Sequence, residues 1–352
     1  MEGKMITLYH RQWSRQELLQ YVGRMDQLAG IRLVEAADGL ERGNRILQVW
    51  TGSGLSFDVV ADRALDIAAC RYKGISLAWA SSVGGVHPAY YEPEGLRWLR
   101  SFAGGLLVTC GLDQFGSPCS DDGEELGLHG RLSNLPAQAV GYHTSWVGDG
   151  DSSRYELEIT GQVRQTRVFG ENLVLRRRIL THLGSNAIRI EDEVTNEGFE
   201  AHPHMVLYHI NLGFPLVSAE STLRLETEET IARDADAEPG LSQWSNIQLP
   251  TAGYREQVFR HVPVIDDDRG RAQVEVENPT LGVGLRLTYE RACLPYLVQW
   301  KMMGQGTYVL GIEPANCGVI QGRATARAKG QLPHLAPGES RRYVLDVEVI
   351  ER

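Results

Sequence analysis

The feature that most limits how this chain can fold is a period-two alternation of polar and apolar residues that returns along most of its length. It is plain in Arg154-Tyr155-Glu156-Leu157-Glu158-Ile159, in Ala187-Ile188-Arg189-Ile190-Glu191 and in Gln273-Val274-Glu275-Val276-Glu277. It returns near the end in Arg342-Tyr343-Val344-Leu345-Asp346-Val347-Glu348-Val349. Successive side chains of a strand point to opposite faces, so such runs bury one face and wet the other. Gly, Asn, Asp and Pro punctuate the runs, and no βαβ rhythm interrupts them. This texture predicts an all-β fold, a large antiparallel β-sandwich.

One helix stands apart at the N-terminal end. Ser14 and Glu17 fit a capping box, Trp13 and Leu18 sit at staple positions, and Leu18, Leu19, Val22, Met25 and Leu28 follow as a helical stripe. Gly30 is the expected stop. The predicted organisation is a helical extension over residues 1–31 packed on the main body, and a single sandwich domain over 32–352. Residues 218–269 are richer in Asp, Glu, Ser, Gly and Pro. They read as a long excursion within that domain, because strand texture resumes after them and no second helical or cofactor-binding unit appears. Pro88, Pro93 and the glycines around Gly104 suggest further functional loops.

The formal net charge of -10, without a block of basic residues, lacks the electrostatic footprint of nucleic-acid or anionic-membrane binding. The Arg176-Arg177-Arg178 run lies in strand-like sequence and reads as a solvated face. Met1-Glu2-Gly3-Lys4-Met5 has no apolar signal-peptide run, and no stretch approaches the ~18 apolar residues of a membrane span, so a cytoplasmic location is expected. Cys70, Cys110, Cys119, Cys293 and Cys317 are scattered without a CxxC pair and read as reduced, mostly buried thiols.

Two segments concentrate ionisable and hydrogen-bonding residues inside apolar, strand-like surroundings, where an unpaired polar group is expensive. One runs from His202-Pro203-His204 through Tyr208-His209-Ile210-Asn211-Leu212; the other is Gly311-Ile312-Glu313-Pro314. A carboxyl at the end of a buried strand is one whose pKa desolvation can raise toward that of a useful base.

Together with Val194-Thr195-Asn196, these segments resemble, in order and spacing, landmarks of the aldose 1-epimerase (galactose mutarotase-like) superfamily. Arg63-Ala64-Leu65-Asp66-Ile67, Leu128-His129-Gly130-Arg131 and Gln299-Trp300-Lys301 look closer to a bacterial mutarotase-like branch of the DUF4432 type than to the galactose enzymes. The resemblance spans roughly residues 32 to 350. It implies a β-sandwich with a sugar cleft on a concave face, His209 as general acid, Glu313 as general base, and no cofactor or metal. Its implied activity is the interconversion of sugar anomers by ring opening. His129 matches a second family histidine. Arg63, Arg131, Asn211 and Lys301 are expected at substrate hydroxyls, with ion pairing to Asp62, Asp66 or other acids as the competing role of the cations. Trp79 and Trp300 are candidates for an apolar sugar-facing wall or for core packing. The partner expected is a small carbohydrate, with a homodimer as a compatible assembly.

Three other readings stay open on sequence. His202, His204 and His209 suggest a metal-dependent sugar isomerase, although His209 falls on the opposite face from the other two in one continuous strand. A non-catalytic carbohydrate-binding module would use the same sandwich. The substrate is open too: a plain aldose, or an acidic, keto or phosphorylated sugar.

Overall fold

The computed structural model describes residues 6–148 and 153–352. The opening residues read above for a leader lie outside them. The all-β expectation holds. Among the described residues, three antiparallel sheets of eight, six and five strands carry the architecture, with three small two-stranded pairs beside them.

The alternating runs picked out in the sequence all belong to the eight-stranded sheet, in strands Arg154–Thr166, Ala187–Asn196, Arg271–Asn278 and Ser340–Glu351. Leu157, Ile159, Ile188, Ile190, Val274, Leu345 and Val347 point inward to the main core. That core is shared with the five-stranded sheet through Leu47, Val49, Phe57 and Val59, and with the six-stranded sheet through Tyr208, Ile210, Leu297, Leu310 and Ile312.

The six-stranded sheet has the order Thr227–Ala232, Gln257–Pro263, Tyr296–Met303, Tyr308–Ala315, Leu207–Gly213, Leu107–Cys110. Every residue of Leu207–Gly213 is buried. Its far face is covered as well, by a second apolar cluster that includes Trp98, Phe102, Phe115, Leu207, Val258, Val298 and Ala315. A strand covered on both sides has no solvent face to alternate with, which is why its sequence reads as a continuous apolar run. Its two outermost strands on one side come from residues 218–269, the acidic excursion.

The N-terminal capping box forms: Glu17 N donates to Ser14 Oγ (3.2 Å) and Ser14 N to Glu17 Oε2 (2.8 Å). The helix is shorter than its apolar stripe. It spans Arg15–Tyr21, Val22 is already extended, and a separate 3-10 turn covers Met25–Gln27. Leu19 stays 45% exposed, so the stripe has too little to bury for the helix to continue across Gly23. Gly30 does not stop a helix; it opens strand Gly30–Glu35, where an added Cβ would lie 2.7 Å from the Trp50 ring.

The reading of the arginine run as a solvated face is corrected at its middle member. Arg176 and Arg178 are solvent-accessible and paired with glutamates, but Arg177 is buried. Its guanidinium binds both Asp192 oxygens (2.8 and 2.7 Å) and Asp66 (2.9 Å). Tyr208 donates to Asp192 and Thr109 to Asp66. The network ties the eight-stranded sheet to the back of the strand that carries His209. Removing one partner strands buried charge, so Arg177→Met is expected to cost about 3–5 kcal/mol in urea unfolding. A loss below about 1 kcal/mol would mean the network is not a structural tie.

Candidate active site

Alternation in the six-stranded sheet decides which side chains reach the cavity. Tyr208, Ile210 and Ile312 face the main core; Leu207, His209, Glu313, Val298, Trp300 and Val258 face the other way and line a cavity of about 520 Å³. Leu207 pairs with Ala315 and Ile210 with Ile312, which sets His209 and Glu313 on one rung of adjacent strands. Pro314 has no N–H to give the ladder, and the pairing skips between those two positions. The outcome is His209 Nε2 at 3.2 Å from Glu313 Oε1.

Both groups are nearly inaccessible, at 4% and 2% exposure. His209 Nδ1 and Glu313 Oε1 have no hydrogen-bond partner among the described residues. Burial, with His129 adding to it, pushes the His209 pKa well below the ordinary histidine value. Burial, reinforced by Glu256 and opposed by Arg233, pushes the Glu313 carboxyl well above the ordinary carboxylate range. Both shifts favour the uncharged form of the pair, with its one proton on Glu313. Room for the carboxyl comes from Gly311, two residues back on the same face: a Cβ there would lie 2.4 Å from Glu313 Oε1 and 2.9 Å from Trp300 Cβ.

His129 joins from a loop, with a backbone φ of 59°. Its ring packs at 4.9 Å from Trp98 and 5.4 Å from His209. The Gly116 N–H donates to its Nδ1 at 3.4 Å, which leaves Nε2 to carry the proton of the neutral ring. Burial lowers its pKa to about 4. Phe102 lies 5.4 Å and Trp300 5.5 Å from His209, giving the cavity an aromatic wall. On the opposite rim Arg233 bonds Asp234 (2.6 Å) and Glu256 (2.9 Å), and Trp300 Nε1 donates to Glu256 (2.9 Å).

The other expected substrate contacts are not brought to this cavity. Lys301 follows Trp300 and so takes the other face; it is buried, donates to Gln243 O (3.1 Å), and desolvation lowers its pKa to about 8. Arg131 is paired with Glu171. Asn211 is buried, and its amide donates to Gly105 O and His209 O, bracing the strand. Arg63 lines a separate cavity, as does Trp79, whose ring meets Trp300 at 5.7 Å. Asp62 pairs with Arg45 instead.

Arg233, Asp234 and Glu256 were not legible as site residues. They sit in the acidic excursion, where charge reads as solvation. Trp98 and Phe102 had a faint signal in the glycines around Gly104.

Of the histidines in the metal reading, His204 is committed at both ring nitrogens and His202 at one. His204 Nδ1 faces Leu112 O (3.0 Å) and Nε2 faces Tyr343 OH (2.7 Å), while His202 Nδ1 faces Pro203 O (3.1 Å). Among the described residues, no group of three or more His, Cys, Asp or Glu is placed to hold a metal ion.

This architecture is that of the mutarotase-like sandwiches. A solved structure from Klebsiella pneumoniae subsp. pneumoniae, provisionally named an aldose 1-epimerase, is 26% identical with a TM-score of 0.85, covering 93% of this chain and 86% of that one. A galactose mutarotase-like protein from Clostridium acetobutylicum (12% identity, TM-score 0.63, 93% and 100% covered) shares the fold. So does galactose 1-epimerase from Lactobacillus acidophilus (12% identity, TM-score 0.57, 92% and 99% covered). The chain belongs to the family described as Domain of unknown function (DUF4432), whose model matches residues 41–349. No curated protein matches it.

Proposed function

We propose that the protein is an aldose 1-epimerase-like isomerase that interconverts the anomers of an uncharged aldose, with Glu313 and His209 as its acid–base pair. The observation that carries this reading is their 3.2 Å separation at the floor of an aromatic-walled cavity. Opening a cyclic hemiacetal requires proton transfers at two oxygens bonded to the same carbon. Two groups within hydrogen-bond reach of each other can address both oxygens at once.

The pair holds one proton whether it is written as carboxylic acid with imidazole or as carboxylate with imidazolium. When sugar hydroxyls enter, the Glu313 proton crosses to His209. Glu313 then takes the proton of the anomeric hydroxyl, the C1–O1 bond becomes a carbonyl, the bond from C1 to the ring oxygen breaks, and His209 protonates that oxygen. Rotation about C1–C2 exposes the other carbonyl face, and closure returns both protons. His129 Nε2–H donates to a sugar oxygen, and the aromatic wall takes an apolar face of the ring.

The substrate class follows from the rim. Arg233 is already matched by Asp234 and Glu256, while Arg63, Arg131 and Lys301 lie elsewhere. No uncommitted cation awaits an acid or a phosphate in this cavity among the described residues. Polarimetry of freshly dissolved α-anomers tests the reading. Neutral aldoses should mutarotate faster with enzyme than in buffer, and a sugar 6-phosphate should not.

The pH dependence follows from the two shifts. The active pair holds one proton. Acid adds a second at His209, below the ordinary histidine value of 6.5; alkali removes the first from Glu313, well above the ordinary carboxylate value of 4.5. These apparent values belong to the pair. On this basis the acid limb of kcat/KM should lie below pH 6.5 and the alkaline limb well above pH 4.5, so the profile should not follow the titration of an ordinary imidazolium, which would lose up to about tenfold per unit above about pH 6.5.

A further inference from the structure

We propose that the cavity lined by Arg63 and Asn44 is a second ligand site, separate from the His209–Glu313 cavity, and that it takes a small hydroxycarboxylate. The two cavities share no lining residue. The two are neighbours: Trp79 lines one and Phe102 the other, and their rings meet at 5.7 Å.

The first of these residues is a buried cation that has no direct ion-pair partner among the described residues; Asp66 acts on it only at longer range, against the larger effect of desolvation. Arg63 is 9% exposed, and among the described residues its guanidinium makes one hydrogen bond, to Val86 O at 3.1 Å, and no ion pair. The two acids that flank it in sequence are spent. Asp62 is held by Arg45, and Asp66 accepts from Thr109 N, Thr109 Oγ1 and Arg177. Desolvation lowers Arg63 to about 10, so it remains charged at neutral pH. An uncompensated buried charge is costly, and a cavity beside it gives an anion access.

Asn44 supplies a second, independent observation. It is 3% exposed and lines the same cavity, yet its side chain makes no hydrogen bond among the described residues, and its Oδ1 is buried without a partner. The folded chain uses neither the donor nor the acceptor of this amide; Oδ1 is closed off, and the N–H groups are the part left open to a ligand hydroxyl. Uncommitted guanidinium N–H groups match the two oxygens of a carboxylate. Arg71 lines the cavity as a second cation, and Glu41, Asp58 and Asp66 line it as carboxylates, offering acceptors for further hydroxyls and opposing a dianion. A volume of about 300 Å³ is at the small end for such sites, which suits a few-carbon acid.

Isothermal titration calorimetry on the full-length protein tests this with D-glycerate, D-gluconate, sorbitol and inorganic phosphate. At least one of the two carboxylates should give a saturable single site, while sorbitol and phosphate give none. Affinity should fall about tenfold or more in Arg63→Gln, which loses the charge-assisted bonds. It should also fall in Asn44→Asp, an isosteric change that sets a negative charge against the ligand and keeps the test alive if Arg63→Gln fails to fold. Glu313→Gln should bind the carboxylate as wild type does, whatever becomes of anomer exchange. The proposal is overturned if neither carboxylate binds, if phosphate binds as tightly, or if binding survives both cavity substitutions and is lost in Glu313→Gln.

Discussion

Glu313→Gln is expected to lower kcat/KM for anomer exchange by about 10²- to 10⁴-fold, the range for loss of a positioned acid–base group. The substitution keeps the shape of the side chain and removes its titration, so a fall of this size would report proton transfer and not collapse of the cavity. Stability provides a separate readout. The folded-state pKa of Glu313 is raised well above 4.5. Between the unfolded and folded values the native protein therefore holds a proton that the unfolded chain has released, and stability from this group declines as pH rises through that window. Glutamine has no such dependence. The variant should melt above wild type at about pH 8, with the gap closing as pH falls toward 4.5. A variant that is inactive yet no more stable at alkaline pH would show that Glu313 is not buried as an acid.

The second large effect is expected at a residue with no chemistry of its own. Gly311→Ala would put a methyl group 2.4 Å from Glu313 Oε1, with the Trp300 Cβ at 2.9 Å closing the retreat on that side. The carboxyl has to swing away from His209, and a displacement of about 1 Å in a catalytic group can cost roughly 10²-fold in rate. The loss should appear mainly in kcat, with a smaller rise in KM because the same methyl also presses on Trp300 of the aromatic wall. A variant with wild-type kcat would mean that the carboxyl reaches the substrate from another position.

The sandwich was legible because its eight-stranded sheet has one wet face, and period two survives wherever solvent is on one side. His209 and Glu313 were legible for the opposite reason: they are ionisable residues in continuous apolar runs, and such runs belong to strands covered on both faces. Local sequence could not say which neighbours join them. Arg233, Asp234 and Glu256 arrive from the acidic excursion through long-range strand pairing. Lys301 and Asn211, near in sequence to site residues, are turned away or used to brace the backbone. The arginine run was misread at Arg177 for a related reason. A charged residue on the inward face of a strand reads as an interruption, and only its partners Asp192 and Asp66, brought in from two other strands, make its burial tolerable. The helix fell short because its cap fixed where it begins, while its end depended on how much of the apolar stripe the body could cover.

The most direct measurement of the central claim is two-dimensional exchange NMR between the C1 signals of α- and β-anomers, across a panel of neutral aldoses at catalytic enzyme concentration. At least one sugar should exchange far above the buffer rate with wild type and return to that rate with His209→Ala. Exchange indistinguishable from buffer for every sugar that binds the protein would contradict the account and leave a carbohydrate-binding sandwich in its place.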